Sequence, residues 1–200
     1  MTMSEKTQTI DYYNANFEDF ISGTLNLDFS STQDRFLSLL PAGAKILDFG
    51  CGSGRDSLYF KKHGFQVTAT DGCLNMCRAA SETTGLTVRH MLFCELDESG
   101  AYDGIWACAS ILHMPELQLH DVFQKMKKAL KSGGIIYTSF KYGTFRGIRN
   151  GRYFCDFTRE NMLEFLKMHP DLSVVEMWQT GDIRTDHRNE QWLNMLLRLK

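Results

Sequence analysis

The stretch KILDFGCGSG, residues 45–54, decides the fold class of this chain. Its first five residues are mostly apolar and predict a short buried strand, and the alternate glycines that follow predict a tight turn. We expect Gly50 to allow the turn, Gly52 to let the backbone approach a ligand, and Gly54 to let the next helix pack closely. A strand, a glycine-rich turn and the start of a helix in this order are typical of a doubly wound parallel sheet.

Strands and helices alternate along the rest of the chain. Further strands are predicted over residues 66–70, 87–93, 104–109 and 134–140, and helices over residues 31–40, 55–63, 74–83, 116–130 and 158–168. No helix separates the last two predicted strands, 172–179 and 191–199, so we expect them to pair antiparallel. The predicted fold class is α/β: a single doubly wound seven-stranded, mostly parallel sheet with an antiparallel last strand.

The length of 200 residues and the lack of a linker predict one domain over residues 1–200, in which the aromatic-rich residues 1–30 form a lid. The 22 Lys and Arg residues nearly balance the 24 Asp and Glu residues, so composition indicates no broad affinity for nucleic acid. Residues 1–10 lack the apolar core of a secretory signal and no apolar run is long enough to span a membrane. We therefore expect a cytoplasmic protein with no membrane partner. The six scattered cysteines predict no metal site.

The spacing of the glycines indicates which cofactor the turn binds. A dinucleotide fingerprint is G-x-G-x-x-G, whereas this turn has the pattern D-x-G-x-G-x-G, beginning at Asp48. Nothing in that pattern requires a diphosphate, and a carboxylate suits a ligand with an ammonium group, such as S-adenosylmethionine. Asp71, which follows strand 66–70, is placed to accept hydrogen bonds from both ribose hydroxyls of an adenosine.

These motifs resemble the class I S-adenosylmethionine-dependent methyltransferases over residues 31–199. DFGCGSG matches the first motif of the family, YDGIWACASILHM its fourth strand, LKSGGIIYTSF its fifth and EQWLNMLLRLK its last. Within the family, the chain is most similar to the small bacterial tellurite-resistance-type methyltransferases. The resemblance implies S-adenosylmethionine as cofactor and S-adenosylhomocysteine as product. By analogy, Glu95 contacts the adenine amino group, with Asp97 as a competitor. The predicted cofactor-binding residues are Asp48, Gly50, Cys51, Gly52, Gly54, Asp71, Gly72, Glu95 and Ala109.

Two residues are candidates for catalysis. His113 lies in the loop after the fourth strand and is a candidate base or acceptor-orienting group. The alternative is a histidine at a helix start that bonds to the backbone. Tyr13 and Phe17, in the aromatic segment, are candidates for an aromatic face near the sulfonium. The alternative for both is core packing.

Arginines concentrate in two loops that we expect at the same edge of the sheet, residues 141–154 and 180–188. The planar guanidinium suits oxyanions such as carboxylate or phosphate. The predicted substrate-binding residues are Arg146, Arg149, Arg152, Tyr153 and Arg184, with Arg188 at the same mouth. The alternative is that these arginines lie in solvated loops and pair with Asp156, Asp182 and Asp186.

The sequence argues against several acceptors. Residues 109–113 read ASILH, whereas amino-methylating DNA enzymes of this class carry Pro-Pro and an aromatic residue there. No Pro-Cys pair, typical of cytosine C5 enzymes, occurs. We predict a methyltransferase that acts on a small, anionic acceptor. The alternatives are a tRNA-modifying methyltransferase and a non-catalytic S-adenosylmethionine-binding module.

Overall fold

The computed structural model describes residues 3–184 and 189–200. Its helices are α1 (Met3–Ala15), α2 (Phe17–Thr24), α3 (Ser30–Leu37), α4 (Arg55–Lys62), α5 (Leu74–Thr84), α6 (Glu116–Ala129) and α7 (Arg159–Leu166). Its strands are β1 (Lys45–Phe49), β2 (Gln66–Asp71), β3 (Arg89–His90), β4 (Tyr102–Ala107), β5 (Leu130–Lys141), β6 (Arg146–Arg149), β7 (Arg152–Cys155), β8 (Leu172–Gly181) and β9 (Gln191–Leu199). Short 3₁₀ turns lie at Phe93–Glu95 and Ile111–His113.

The predicted sheet is confirmed. Within the described residues, seven strands follow the order β3-β2-β1-β4-β5-β9-β8. The pairs from β3 to β5 are parallel, and β9 runs antiparallel to both of its neighbours, β5 and β8. Because β1, β2, β4 and β5 are parallel, their carboxyl ends lie at one edge of the sheet. The glycine turn follows β1 at this edge, where doubly wound sheets bind ligands.

The core explains why the central strands read as continuous apolar runs. Helices cover both faces of the sheet, so residues on both sides of a strand are buried. In β1, Ile46, Leu47 and Phe49 are fully buried. On one face, the Trp106 ring of β4 stacks on the Tyr137 ring of β5, with centroids 3.9 Å apart. This packing holds the ends of the strands in place beneath the site.

The third predicted strand is mostly wrong. Instead of an extended segment over residues 87–93, the chain pairs with β2 only at Arg89 and His90 and then forms the 3₁₀ turn. The Glu95 carboxylate accepts a hydrogen bond from the Leu92 backbone N–H at 2.7 Å, which favours the turn over further strand pairing.

The loop predicted over residues 141–154 contains a hairpin that the sequence analysis missed. Strands β6 and β7 pair antiparallel, with Arg149 opposite Arg152. The two residues between them, Asn150 and Gly151, have φ values of 50° and 76°. Asn-Gly is the strongest short hairpin signal because both residues tolerate positive φ. The hairpin brings the side chains of 146–155 over the edge of the sheet.

Residues 185–188 lie outside the described residues, so the predictions for Asp186 and Arg188 have no structural counterpart. Of the helices that the structure describes, none combines the length and the apolar character that a membrane crossing requires.

Candidate functional site

A cavity of about 290 Å³ opens at the carboxyl edge of the parallel strands. Its floor is the glycine turn after β1, the end of β2 and the loop after β4. Helices α1 and α2 contribute residues from the predicted lid, among them Thr9, Tyr13 and Phe20. The β6–β7 hairpin and the facing ends of β8 and β9 complete the wall. Residues of the predicted lid, near the start of the chain, and residues of the last two strands therefore line the same cavity.

The glycine turn brings backbone to the cavity surface. Gly50 and Gly52 have φ values of 89° and 53°, and both line the cavity with Cys51. A Cβ on Gly50 would lie 2.5 Å from Ser110 Cβ, and one on Gly52 would lie 3.1 Å from the Phe20 ring. A side chain at either position would fill the space through which a ligand reaches the backbone.

Gly54 lies behind the turn, at the start of α4. It does not line the cavity; a Cβ there would lie 2.8 Å from Thr84 Cγ2 and 3.2 Å from Ala80 Cβ. Gly54 permits close contact between α4 and α5, as predicted for helix packing. It does not contact the cavity as a cofactor-binding residue would.

Asp71 lies at the end of β2 and lines the cavity. Its two oxygens accept hydrogen bonds from the Gly52 N–H at 2.9 Å and the Cys73 N–H at 2.8 Å. Burial raises the pKa of Asp71, and these backbone donors oppose the rise. Each oxygen retains acceptor capacity, which fits the two hydroxyl donors of an adenosine ribose. Gly72, also predicted, lines the cavity beside it.

Asp48 is not at the cavity surface, contrary to the expected ammonium contact. Its side chain is buried beneath the glycine turn and accepts a hydrogen bond from the Ser57 hydroxyl at 2.5 Å. Burial is the main cause that raises the pKa of Asp48, and the nearby charge of Asp56 adds to it. The acidic residue that does line the wall here is Asp56. Asp56 was not among the residues predicted from the sequence.

Asp56 has its hydrogen-bonding capacity filled. Its Oδ1 accepts from Gln33 at 2.6 Å and from Arg55 Nε at 2.7 Å, and its Oδ2 accepts from Arg55 and from Trp106 Nε1. Its local sequence, an acid next to an arginine at a helix start, gives no hint of this network, because Gln33 and Trp106 come from distant elements.

Glu95 is also placed away from the cavity wall. Its carboxylate accepts from the Leu92 N–H and caps its own 3₁₀ turn. Glu95 is therefore not in position to make the predicted contact with an adenine in the cavity. The wall beside Asp71 is instead formed by Met91, Leu92 and Phe93, whose apolar side chains suit a flat purine.

Tyr13 and His113 contact each other across the cavity. Tyr13 Oη lies 2.8 Å from His113 Nε2, and His113 Nδ1 lies 2.6 Å from the Tyr153 carbonyl oxygen. Burial lowers the pKa of His113 to about 4 and raises that of Tyr13. His113 is therefore neutral at neutral pH, and it bonds to the backbone as the alternative interpretation predicted. It also contacts a cavity side chain. Ala109, two residues into the same loop, lines the cavity at a φ of 48°.

The predicted arginines divide into two groups. Arg149, Arg152 and Arg184 line the cavity. Arg146 does not: its Nε lies 3.5 Å from Glu116 and its guanidinium stacks on Phe157, so this prediction is wrong. Its side chain points to the opposite face of the hairpin.

The arginines in the wall differ in their partners. Arg184 donates to both oxygens of Asp182, and Arg149 lies 3.3 Å from both oxygens of Asp156, the pairing that the alternative predicted. Arg152 has no acidic partner among the described residues. Its guanidinium lies 3.4 Å from Tyr13 Oη, and its buried Nε has no hydrogen-bond partner.

Tyr153 contributes its backbone rather than its side chain. Its carbonyl accepts from His113, and its N–H donates to the Thr9 hydroxyl at 3.1 Å. Its ring does not line the cavity formed by the described residues. The structure therefore does not place this side chain where it was predicted to contact substrate.

Lys141, at the end of β5, is a cavity residue that the sequence analysis did not single out. Its ammonium lies over the Trp192 ring at 4.1 Å and contacts Asp182 and Glu190. Burial lowers the pKa of Lys141 to about 8, and Asp182 opposes that shift. The signal was its position, as the last residue of a buried strand at the carboxyl edge. No metal-ligand group of three or more His, Cys, Asp or Glu side chains is found within 3–184 and 189–200.

Residues 46–134, which contain the glycine turn and Asp71, match the family model described as a methyltransferase domain. These residues are similar to methyltransferase domains, for which S-adenosylmethionine is the expected cofactor. Two features fit S-adenosylmethionine: a glycine turn with no room for side chains at Gly50 and Gly52, and the acceptor oxygens of Asp71.

Two curated relatives share this domain. The chain is 27% identical over 123 residues to malonyl-[acyl-carrier protein] O-methyltransferase of Salmonella typhimurium, covering 58% of this chain and 47% of that protein. It is 36% identical over 107 residues to sarcosine/dimethylglycine N-methyltransferase of Aphanothece halophytica, covering 47% of this chain and 36% of that protein. The chain thus spans less than half the length of both relatives. Neither is named as a tellurite-resistance enzyme, so that closer resemblance stays a prediction.

A solved structure shows the same fold over nearly the whole chain. It is 1,6-didemethyltoxoflavin-N1-methyltransferase of Burkholderia thailandensis, bound to its 1,6-didemethyltoxoflavin and to S-adenosylhomocysteine. The TM-score is 0.78 at 20% identity, covering 96% of this chain and 87% of that one. The fold of this chain therefore extends beyond the 46–134 match, to the hairpin and the last strands.

Proposed function

We propose that the protein transfers the methyl group of S-adenosylmethionine to a small acceptor that carries an anionic group. The observation behind this proposal is Arg152, a cation in the cavity wall that lacks an acidic partner among the described residues. A guanidinium without an acidic partner in a partly buried wall is costly, and an oxyanion in the cavity would pair with it. An anion in the cavity would therefore gain both charge pairing and hydrogen bonds.

Three features at one end of the cavity are expected to hold the cofactor. The backbone of Gly50 to Gly52 would approach the amino-acid part, and Asp71 would accept from the ribose hydroxyls. The apolar wall at Met91 and Leu92 would cover the adenine. When bound, S-adenosylmethionine supplies an electrophilic methyl group. The chain's own contribution is to orient the acceptor in line with that group and to exclude water.

Helices α1 and α2 are expected to exclude water, as a lid. The Thr24 hydroxyl bonds to the Ser53 hydroxyl at 3.1 Å, on the cofactor side. On the acceptor side, Thr9 accepts from the Tyr153 N–H and Tyr13 bonds to His113. The predicted lid, residues 1–30, would thus be held at both ends of the cavity, and its opening would admit the ligands.

The cations near Arg152 have supporting roles in this proposal. Asp182 receives five donors, among them Arg184, Trp192 and Lys141, so it fixes the side chains of that wall. Arg149 is partly neutralised by Asp156 and would add to the positive field. Of these side chains, we expect Arg152 to make the direct contact.

The name of the Aphanothece halophytica relative supports a small acceptor. Sarcosine and dimethylglycine carry a carboxylate, and so does a malonyl group, which agrees with an anionic acceptor. Nothing in these names supports the tRNA-modifying alternative. The solved structure bound to an acceptor and S-adenosylhomocysteine is that of a methyltransferase, which favours catalysis over a non-catalytic module.

The test uses S-adenosylmethionine tritiated at the methyl group and a pool of small metabolites. After incubation, anion exchange at strongly alkaline pH, at which amino acids also carry a net negative charge, separates anionic from neutral products, and tRNA is recovered separately. We expect the label in the anionic small-molecule fraction. Label in tRNA or in the neutral fraction would contradict the proposal. Tight cofactor binding without label in any fraction would favour the non-catalytic module.

Arg152→Gln and Arg146→Gln form a matched pair, since both arginines lie on the same hairpin but only Arg152 lines the cavity. Arg152→Gln is expected to lose about 10- to 100-fold in turnover at low acceptor concentration, because a charged hydrogen bond is worth about 1.5–3 kcal/mol. Its affinity for S-adenosylmethionine should stay unchanged. Equal losses in both variants would show that the hairpin fold, rather than the charge, matters.

A further inference from the structure

The direction of the hydrogen bonds around Tyr13 restricts what its oxygen can do. A backbone carbonyl only accepts, so His113 Nδ1 must carry the proton in its 2.6 Å bond to the Tyr153 carbonyl. In the neutral ring, Nε2 is then an acceptor, and the Tyr13 hydroxyl donates its proton to it at 2.8 Å. Arg152 donates to the same Tyr13 oxygen. Toward the cavity, Tyr13 therefore offers an acceptor only.

The charges around this pair disfavour a further positive charge. Burial is the largest cause that lowers the pKa of His113 to about 4, and the cations Arg152, Lys141 and Arg149 lower it further. The same three cations line the cavity and would act on an amine bound beside His113. They would favour its neutral form, in which nitrogen keeps the lone pair that a methyl group requires.

None of the wall residues His113, Tyr13 and Lys141 supplies a base that would suit an alcohol acceptor. Neutral His113 is a weak base, because its pKa is about 4. Tyr13 keeps its proton, since burial raises its pKa. Lys141 is protonated at neutral pH, because its pKa is about 8. An alcohol must lose its proton during transfer, which requires a base, whereas a neutral amine attacks with its lone pair and requires none.

We infer that Tyr13 determines specificity: its oxygen accepts a hydrogen bond from the N–H of a small amine whose anionic group pairs with Arg152, so that the acceptor is a small amino acid. This inference rests on the proposed function and narrows its acceptor class. In the transfer, the amine lone pair forms the new N–C bond, while the S–C bond breaks and its electron pair stays on sulfur. A free amino acid is an ammonium at neutral pH, so it gives one proton to water when it binds as the neutral amine, and the product leaves as an ammonium.

The test measures binding to the protein saturated with S-adenosylhomocysteine. The two probes are sarcosine and butyrate, which have the same chain length and carboxylate but differ by a nitrogen with N–H in place of CH₂. Calorimetry should show that the wild type binds sarcosine, with the affinity expressed for its neutral amine form, about tenfold more tightly than butyrate, equivalent to about 1.4 kcal/mol and in the range of one hydrogen bond. Tyr13→Phe keeps the ring and should reduce that preference to about threefold or less.

Tyr12→Phe is the matched control. The neighbouring tyrosine packs against the Arg152 guanidinium at 4.5 Å but does not line the cavity, so the preference should survive. A second readout is the nitrogen NMR spectrum of His113 in the ligand-free protein, which should show a protonated Nδ1 and an unprotonated Nε2. The opposite tautomer would overturn the direction of the Tyr13 bond.

Three results would overturn the inference: equal binding of the two probes, a preference that persists in Tyr13→Phe, or no binding of either probe. These failures differ from failure of the proposed function. If both probes bind equally and Arg152→Gln weakens both, the anionic acceptor stands and only the amine is wrong. If S-adenosylhomocysteine itself does not bind, the proposed function fails.

Discussion

Replacing Asp71 with alanine should abolish most of the affinity for S-adenosylmethionine. Each oxygen of this carboxylate accepts one backbone N–H, at 2.9 Å from Gly52 and 2.8 Å from Cys73, and keeps a lone pair for one ribose hydroxyl. A hydrogen bond to a charged group contributes about 1.5–3 kcal/mol, so two would contribute about 3–6 kcal/mol. The dissociation constant should rise by roughly 10²- to 10⁴-fold. Calorimetric titration with S-adenosylmethionine measures it.

Two further variants separate ligand contact from damage to the turn. Asp71→Asn keeps one carbonyl oxygen and should lose about half of the binding free energy that the alanine variant loses. Glu95→Ala removes an acidic side chain that lies outside the cavity wall and should bind S-adenosylmethionine as the wild type does. The reasoning is refuted if Asp71→Ala binds normally while its unfolding by urea shows an intact fold, or if NAD binds in place of S-adenosylmethionine.

Three further predictions concern stability, each measured by urea unfolding. Because the pKa of His113 is about 4 in the folded protein and about 6.5 unfolded, the unfolded state gains a proton first as pH falls. Wild type should therefore lose about 2 kcal/mol more than His113→Asn between about pH 7 and pH 5, and parallel pH curves would contradict this. Gly54→Ala should cost about 2 kcal/mol or more, from a φ of 80° and the 2.8 Å approach to Thr84; Gly64→Ala, with a φ of 85° and open space, should cost only about 1 kcal/mol. Thr158→Ala should cost about 1 kcal/mol, because its side chain accepts from a backbone N–H at the start of α7, and no loss would show that the cap is not used.

Local patterns were enough to predict the sheet. The apolar strand 45–49 and the alternate glycines after it belong to one continuous stretch, and so do the turn, its positive φ values and the start of α4. The antiparallel end followed from the missing helix between the last two strands, which β8 and β9 confirm. Local backbone sterics and the spacing of apolar residues decide such features, and both can be read from a single segment of sequence.

The prediction of β3 failed because strand pairing, unlike strand type, depends on distant elements. An apolar run gives an element's type more reliably than its pairing, and at the edge of the sheet only two residues pair with β2. By contrast, the hairpin was readable: Asn150-Gly151 is a hairpin turn signal, and its omission was an error of interpretation rather than a limit of the sequence.

What the sequence by itself determined is the doubly wound fold, the glycine turn and the edge of the sheet where the site lies. Only the tertiary structure decided which charged side chains reach the cavity. Asp48 is buried under the turn, Arg146 pairs with Glu116 outside, and Arg152 faces Tyr13, 139 residues away in the chain. The reason is physical. A strand or turn depends on neighbours a few residues away, whereas the direction and protonation of a charged group depend on burial and on partners brought by distant elements.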